Sequence, residues 1–369
     1  MNQIKEKKLI RLTTVDLSLD KLLRGQLKFI NQYYRVIGVA SDTGLLQSVG
    51  EREGIPVINV PMHREIALKA DIKSLFDLYW LFKKERPYIV HANTPKGSLL
   101  GMVAAWAARV PHRVYTVTGL RYQGSKGLFR FILKTMERVS CLFATNVIPE
   151  GQGVLRTLQT DHITNKPLRV LHYGNINGID TDFFRPMEPD HSNDLFTFVF
   201  VGRIVRDKGI HELTACMRRL DCRLLLVGSF EDGDPIDEED KRFLLSSEKV
   251  KYVGWQDDIR PFLAQSDALV FPSYREGFPN VPIQAGSMER ASIVTNINGC
   301  NEIVVDGLTG RIVDPHNEES LLSTMNWFIH HPVEVKRMGK AARDLVKERF
   351  EQKDLWHALL DFYDSLDYQ

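Results

Sequence analysis

Residues 196–209 read Phe196-Thr-Phe-Val-Phe-Val201-Gly202-Arg203-Ile-Val-Arg206-Asp207-Lys208-Gly209. A run apolar on both faces is what a strand covered by helices on both sides requires. The glycine after it lets backbone approach a ligand closely. Three cations then stand just before a new helical pattern, whose N-terminus is itself partly positive. Arg203 supplies a planar fork and Lys208 a point charge, a pairing suited to a diphosphate. The plainer reading is a solvated charged loop.

Working outward, similar apolar runs recur along the whole chain. In the second half they are Arg223–Val227, Lys251–Val253, Ala268–Phe271 and Ala291–Thr295. In the first half they are Lys8–Val15, Tyr34–Ala40, Ile55–Val60, Tyr88–His91, Arg113–Val117, Leu142–Ile148 and Leu168–His172. Helix-like segments such as Ile72–Lys84, Ser98–Ala108 and Ser320–His330 lie between them. Alternating strand and helix patterns predict βαβ units and parallel sheets. The pattern occurs on both sides of residues 173–195, a stretch rich in Gly, Asn, Asp and Pro that reads as a linker. The expectation is an α/β protein of two doubly wound, Rossmann-like domains facing each other across a cleft. Domain boundaries are expected at 1–172 and 173–351. A final helix over about 352–369, carrying Leu355, Trp356, Leu359, Leu360, Phe362 and Tyr363, is expected to pack back on the first domain.

The chain has 369 residues, with 43% hydrophobic and 26% charged, which excludes disordered and collagenous classes. Its net charge of +1 hides an uneven split. Residues 1–175 hold 26 Lys/Arg against 13 Asp/Glu, net +13. Residues 176–369 hold 22 against 34, net −12. One half is thus suited to an anionic surface. The cysteines Cys141, Cys216, Cys222 and Cys300 lack metal-ligand spacing and fit buried thiols in a reducing compartment. Lys5, Lys7, Lys8 and Arg11 surround a short apolar stretch in Met1–Val15, but no apolar core of signal-peptide length follows. No window approaches the roughly 20 apolar residues of a membrane helix. A cytoplasmic protein is expected. Nucleic acid is not an expected partner, because the basic half carries no recognised binding motif.

In open parallel sheets, ligands sit beyond the carboxyl ends of the strands. Gly202 and Gly228 occupy two such ends, and Val253-Gly254-Trp255 another. After Ala268–Phe271 comes Pro272-Ser-Tyr-Arg275-Glu276-Gly277-Phe278-Pro279-Asn280-Val281-Pro282-Ile-Gln284. Asn280 is a good N-cap with Pro282 in the first turn, so a helix is expected to start near Val281. Backbone N–H groups at Gly277, Phe278, Asn280 and Val281 would then point at anionic oxygens. A carboxylate beside such a site makes sense if it accepts hydrogen bonds from sugar hydroxyls. The alternative is a surface bridge from Glu276 to Arg275 or Arg260.

Arg203 and Lys208, followed by Glu276-Gly-Phe-Pro-Asn with a polar residue eight positions after the Glu, resemble the retaining GT-B glycosyltransferases of family 4. Gly299-Cys-Asn-Glu302-Ile-Val, Asp306-Gly307 and Asn177-Gly178-Ile179-Asp180 support this. His91-Ala-Asn-Thr-Pro-Lys96-Gly97 and Tyr115-Thr-Val-Thr118-Gly119-Leu resemble the bacterial capsule and O-antigen branch. The resemblance covers essentially the whole chain. It implies that Arg203 and Lys208 bind the donor diphosphate and that Glu276 orients the donor sugar. The first-domain His contacting that sugar is represented by His91, since Thr118 stands where many members carry a His. Thr118, Gly119 and Lys96 are assigned to the acceptor and donor-sugar side. Gln284 replaces the Glu that holds the ribose hydroxyls, so that contact loses its charge. The resemblance further implies a nucleotide-diphosphate sugar donor, UDP first, and retention of anomeric configuration. The acceptor implied is a saccharide on undecaprenyl diphosphate.

No metal or other cofactor is expected. Asp180-Thr181-Asp182 matches a metal-binding D-x-D, but it lies in the linker, and Arg203 and Lys208 can supply the charge. Glu231–Asp240 reads as a solvated acidic loop. In residues 124–143, Lys126, Arg130, Lys134 and Arg138 recur every four positions among apolar residues. This stripe is expected to rest on the anionic inner face of the membrane, giving a peripheral protein. The plainer reading is an amphipathic core helix with a basic outer face. Two rival functions remain at this stage. One is a UDP-sugar epimerase of the same architecture; the other is a weakened nucleotide-sugar-binding protein, suggested by Gln284.

Overall fold

The computed structural model describes residues 7–63, 67–188 and 195–366. Expectations about Lys5 and the last residues after Leu366 lie outside these, as does 189–194 of the linker. The chain divides into two compact units: one runs to Asn177 and resumes at Lys353, and the other is Gly178–Gln352.

The first unit contains β1 (Lys8–Val15), α1 (Asp16–Leu22), α2 (Gln26–Ile30), β2 (Arg35–Ser41), α3 (Leu46–Glu53), β3 (Val57–Asn59), α4 (Leu68–Glu85), β4 (Ile89–Ala92), α5 (Pro95–Ala107), β5 (His112–Val117), α6 (Gly127–Phe143), β6 (Asn146–Pro149) and α7 (Gln152–Thr160). The second contains β7 (Thr197–Val201), α8 (Ile210–Arg219), β8 (Arg223–Val227), α9 (Glu238–Ser246), β9 (Val250–Gly254), α10 (Arg260–Ala264), β10 (Ala268–Phe271), α11 (Asn280–Ser287), β11 (Ala291–Thr295), α12 (Cys300–Ile303), β12 (Gly310–Val313), α13 (Glu318–His330) and α14 (Pro332–Arg349). Helix α15 (Gln352–Ser365) completes the first unit.

Each unit winds a six-stranded parallel sheet. The orders are β3-β2-β1-β4-β5-β6 and β12-β11-β10-β7-β8-β9. In each, the winding reverses between the first and fourth strands of the unit, β1/β4 and β7/β10, where an open sheet leaves a crevice at its carboxyl ends. Both faces of the sheets are covered, which is why the strands read as continuous apolar runs. In β1, Ile10 and Leu12 join one core layer with Leu78 of α4, Met102 of α5 and Leu133 of α6. Leu9 joins the opposite layer, with Leu19, Leu27, Val49 and the α15 residues Leu359 and Tyr363. The period of two separates them.

Three expectations need correction. Leu168–His172 is not a strand; it contributes only a bridge from Leu168 to Val147. Leu142 and Phe143 belong to the end of α6, so β6 begins at Asn146. Strand β12 was not expected: it is short, and beside β11 it forms the sheet edge, with a weak apolar signal in Gly-Arg-Ile-Val. The sequence Asp180-Thr181-Asp182 forms a turn, Asp180 Oδ1 accepting the N–H of Asp182 at 3.0 Å and of Phe183 at 2.9 Å. The four cysteines are buried and free. No helix among the described residues is long and apolar enough to cross a membrane.

Glu137 is buried on the inner side of α6, where Tyr115 donates to its Oε2 at 2.6 Å. Burial raises this carboxyl to about 7, partly opposed by the Tyr115 bond. The folded state therefore keeps a proton that the unfolded chain, with its ordinary value of 4.5, releases. The stabilisation is complete below pH 4.5 and is lost as pH rises toward 7, a change of about 3 kcal/mol. Urea titrations of wild type and Glu137→Gln across pH 4–8 will show the difference between the two changing by about this amount in that window.

Candidate functional site

The second unit assembles its polar groups at the crevice between β7 and β10. After β7, residues Arg206–Lys208 form one 3-10 turn that runs into Gly209, the N-cap of α8. Gly209 has φ 67°, and a Cβ there would lie 2.1 Å from the carbonyl oxygen of Pro272. Only glycine lets this turn press against the loop after β10. The Tyr274 N–H donates to the Asp207 carbonyl at 2.9 Å, joining the two loops. Lys208 thereby meets Glu276 in an ion pair. Their side chains keep only 12% and 16% of their exposure. Ser273 donates to the same Glu276 oxygen at 2.8 Å, and the Lys208 ammonium lies 5.5 Å from the Phe271 ring centre.

On the other side of β7, Gly202 and Gly228 bring two strand ends into contact. A Cβ on Gly228 would lie 1.8 Å from the Gly202 carbonyl oxygen. Bare backbone is therefore presented there. Arg203 pairs with Glu231 at 3.0 Å, Arg206 with Asp237 at 3.2 Å and Arg275 with Asp207 at 2.6 Å. These bridges are exposed and weak, so an anion can compete for the arginines. The alternative pairing of Glu276 with Arg275 or Arg260 does not occur: Arg260 is bound to Asp258 at 2.6 Å. Glu231 is an arginine partner, not merely part of a solvated acidic loop.

Helix α11 follows the Glu276 loop directly. Its first residue is Asn280 and its N-cap is Pro279, one position earlier than expected. Its first-turn N–H groups point out along the helix axis at its N-terminal end. Phe278 is buried in the core beneath, while Gly277, Val281 and Gln284 are half-buried. Trp255 follows edge strand β9 and is 60% exposed. Cys300 is fully buried, and burial holds its thiol pKa well above the ordinary value, so it is not a nucleophile. The site can hold an anion with two cations and offer a carboxylate to hydroxyl groups.

The first-unit candidates are occupied differently. His91 is 1% exposed. Its Nδ1 lies 2.6 Å from the Tyr363 hydroxyl and its Nε2 2.7 Å from Thr116 Oγ1. Arg11 Nη1 donates to the same hydroxyl at 3.2 Å. The Tyr363 and Thr116 hydroxyls thereby engage both ring nitrogens, whichever of the two carries the proton. Burial, with Arg11 adding, keeps the His91 pKa well below its ordinary value, so the ring is neutral. In this arrangement His91 has no free nitrogen for a donor sugar; it anchors α15. Arg11, His91 and Thr116 lie on neighbouring strands facing α15, a polar row the sequence reading missed. The signal was an arginine in the alternation of β1. Lys96 is buried against Asp71 at 2.8 Å. Thr118 donates to the Asn93 carbonyl at 2.9 Å, and Gly119 follows it with φ 144°.

The stripe on α6 also differs from expectation. Lys126 and Arg130 are exposed, but Lys134 pairs with Asp161 at 3.2 Å. Arg138 donates to the carbonyls of His162 and Asp161 at 3.3 and 3.5 Å. Leu128, Phe129 and Phe131 face outward as well, because the helix buries Leu133, Glu137, Ser140 and Cys141.

Known proteins resemble this chain in sequence and in fold. The family model "Glycosyl transferases group 1" matches residues 185–345, and "Glycosyl transferase 4-like domain" matches 32–174. The capsular polysaccharide biosynthesis glycosyltransferase CapM of Staphylococcus aureus is 34% identical over 375 residues, 98% of both chains. An Escherichia coli UDP-Gal:alpha-D-GlcNAc-diphosphoundecaprenol alpha-1,3-galactosyltransferase is 27% identical over 71% of both. In fold, the crystal structure of Anabaena Alr3699/HepE in complex with UDP-glucose superposes with a TM-score of 0.82 at 19% identity, covering 97% of this chain and 99% of that one.

The buried row makes its own demand. Tyr363→Phe removes the hydroxyl that Arg11 and His91 share, leaving Arg11 Nη1 and His91 Nδ1 buried without that partner. Urea denaturation will show a loss of about 2–3 kcal/mol. A wild-type midpoint would mean the row does not hold α15.

Proposed function

The chain belongs to the family 4 GT-B glycosyltransferases of capsule and O-antigen synthesis, and from that premise we propose which groups it transfers and how. The donor is a UDP-linked hexose or N-acetylhexosamine. The acceptor is a saccharide on undecaprenyl diphosphate, so the reaction runs at the cytoplasmic face of the membrane. Relatives named for diphosphoundecaprenol acceptors support this class. One observation carries the proposal: Lys208 and Glu276 are held together at the β7/β10 crevice, in and facing the loop after β7 that also carries Arg203.

Without donor, the Lys208 ammonium and Glu276 carboxylate neutralise each other. A diphosphate is a stronger partner for the lysine. Once it takes Lys208, the released Glu276 oxygen can accept from the sugar hydroxyls, with Ser273 steadying it. Arg203 leaves Glu231 for the phosphate at low cost. The acceptor hydroxyl attacks the anomeric carbon on the face that the diphosphate leaves, which retains configuration. One bond from that carbon to oxygen breaks and another forms. The hydroxyl proton passes to the departing phosphate oxygen. Lys208, Arg203 and the first-turn N–H groups of α11 stabilise the developing charge, and no metal is required for it.

UDP release by the purified full chain, measured with and without a lipid-diphosphate-linked sugar, tests this. Acceptor-dependent release is expected. Release without acceptor would identify an epimerase or hydrolase, and none in either case a binding protein. Lys208→Ala will lower kcat/KM by about 100-fold or more. UDP binding and transfer at wild-type levels in that variant would refute the assignment. Gln284→Glu will tighten UDP binding several-fold in calorimetry by restoring a charged acceptor for the ribose hydroxyls.

A further inference from the structure

Helix α4 carries an apolar ridge on its outer face. Leu68, Ile72, Phe76 and Trp80 are 74, 56, 59 and 65% exposed. Spaced four residues apart, they lie along one side of the helix. The remaining exposed residues of α4 are Lys69, Lys73, Lys83 and Lys84. Its acids are turned away: Asp71 is bound to Lys96 and Glu85 to Lys8, while Asp77 is half-buried. Ser74, Leu78 and Phe82, on the opposite side, are buried in the first unit's core. The outward face is therefore four large apolar side chains, four lysines and no exposed acid.

We propose that this ridge seats the protein on an anionic lipid bilayer. A helix lying in a bilayer interface combines aromatic and aliphatic residues with lysines that reach the headgroups. The core of a subunit interface is instead depleted in lysine. The wider charge agrees, since the first 175 residues carry net +13. On the same face of the sheet, with α5 between, α6 exposes Leu128 and Phe131 at 75 and 63%. The apolar contact thus comes from α4 with the start of α6, and the α6 cations, half of them engaged within the protein, are secondary. This extends the lipid-linked acceptor reading and is tested apart from it.

Cosedimentation of the full chain with vesicles of phosphatidylcholine, with and without phosphatidylglycerol, measures the contact. Wild type will bind the anionic vesicles, and salt will weaken binding. Phe76→Ser/Trp80→Ser will lower partitioning by about tenfold or more, and Lys69→Glu/Lys73→Glu will abolish the preference for phosphatidylglycerol. All four positions are exposed, so folding is preserved, and UDP release with a water-soluble acceptor analogue will stay at wild-type level. Absent release in wild type would refute the functional reading while leaving the vesicle result intact. The surface proposal is overturned if Phe76→Ser/Trp80→Ser binds vesicles like wild type. It is also overturned if Lys126→Glu/Arg130→Glu alone removes binding, or if wild type is a stable dimer that the Phe76→Ser/Trp80→Ser variant splits.

Discussion

A lysine ammonium and a glutamate carboxylate, both largely withdrawn from water, meet where the second sheet reverses its winding. Withdrawing either charge alone would be costly, so each holds the other in place. They lie 68 residues apart in sequence. Parallel strand order brings β7 and β10 side by side, and the bare Gly209 lets one loop rest on Pro272 of the other. The Glu276 loop and the start of α11 take their position from this contact. The pair therefore carries its own counter-charge within the acidic half of the chain.

The first unit uses the same winding with a different filling. Its β1, β4 and β5 place Arg11, His91 and Thr116 on one face, where the Tyr363 hydroxyl from α15 joins Arg11 to His91 and His91 in turn meets Thr116. Such a row is costly when incomplete, so it selects one seating for the final helix. The opposite face is sealed by α4, α5 and α6, whose inner sides are apolar. The outer sides of α4 and α6 are also partly apolar, which packing within this unit does not require. The uneven charge of the chain and this exposed ridge belong to the same half.

Much of the architecture was legible because its signals are local. Lys8–Val15, Arg223–Val227, Ala268–Phe271 and Ala291–Thr295 are strands with the expected bounds. A strand buried on both faces has no choice but a continuous apolar run. Strand β12 escaped because an edge strand of four residues needs little apolar content. Leu168–His172 failed in the opposite sense: apolar residues there serve a bridge and core contacts without a ladder. The α6 stripe does face outward at Lys126, Arg130 and Arg138, but its recurrence did not show that Lys134 and Arg138 find partners within the protein. That depended on Asp161 and on the carbonyls at 161 and 162, distant in sequence.

The sequence by itself determined the family, the two parallel sheets and the loops that carry Arg203, Lys208 and Glu276. Strand periodicity and short motifs are set by neighbours along the chain. Only the tertiary structure decided partners. It gave Glu276 to Lys208 rather than to Arg260, enclosed His91 beneath Tyr363, and left Leu68, Ile72, Phe76 and Trp80 facing outward. The reason is that burial and charge pairing depend on distances across the fold, which no spacing within a segment records.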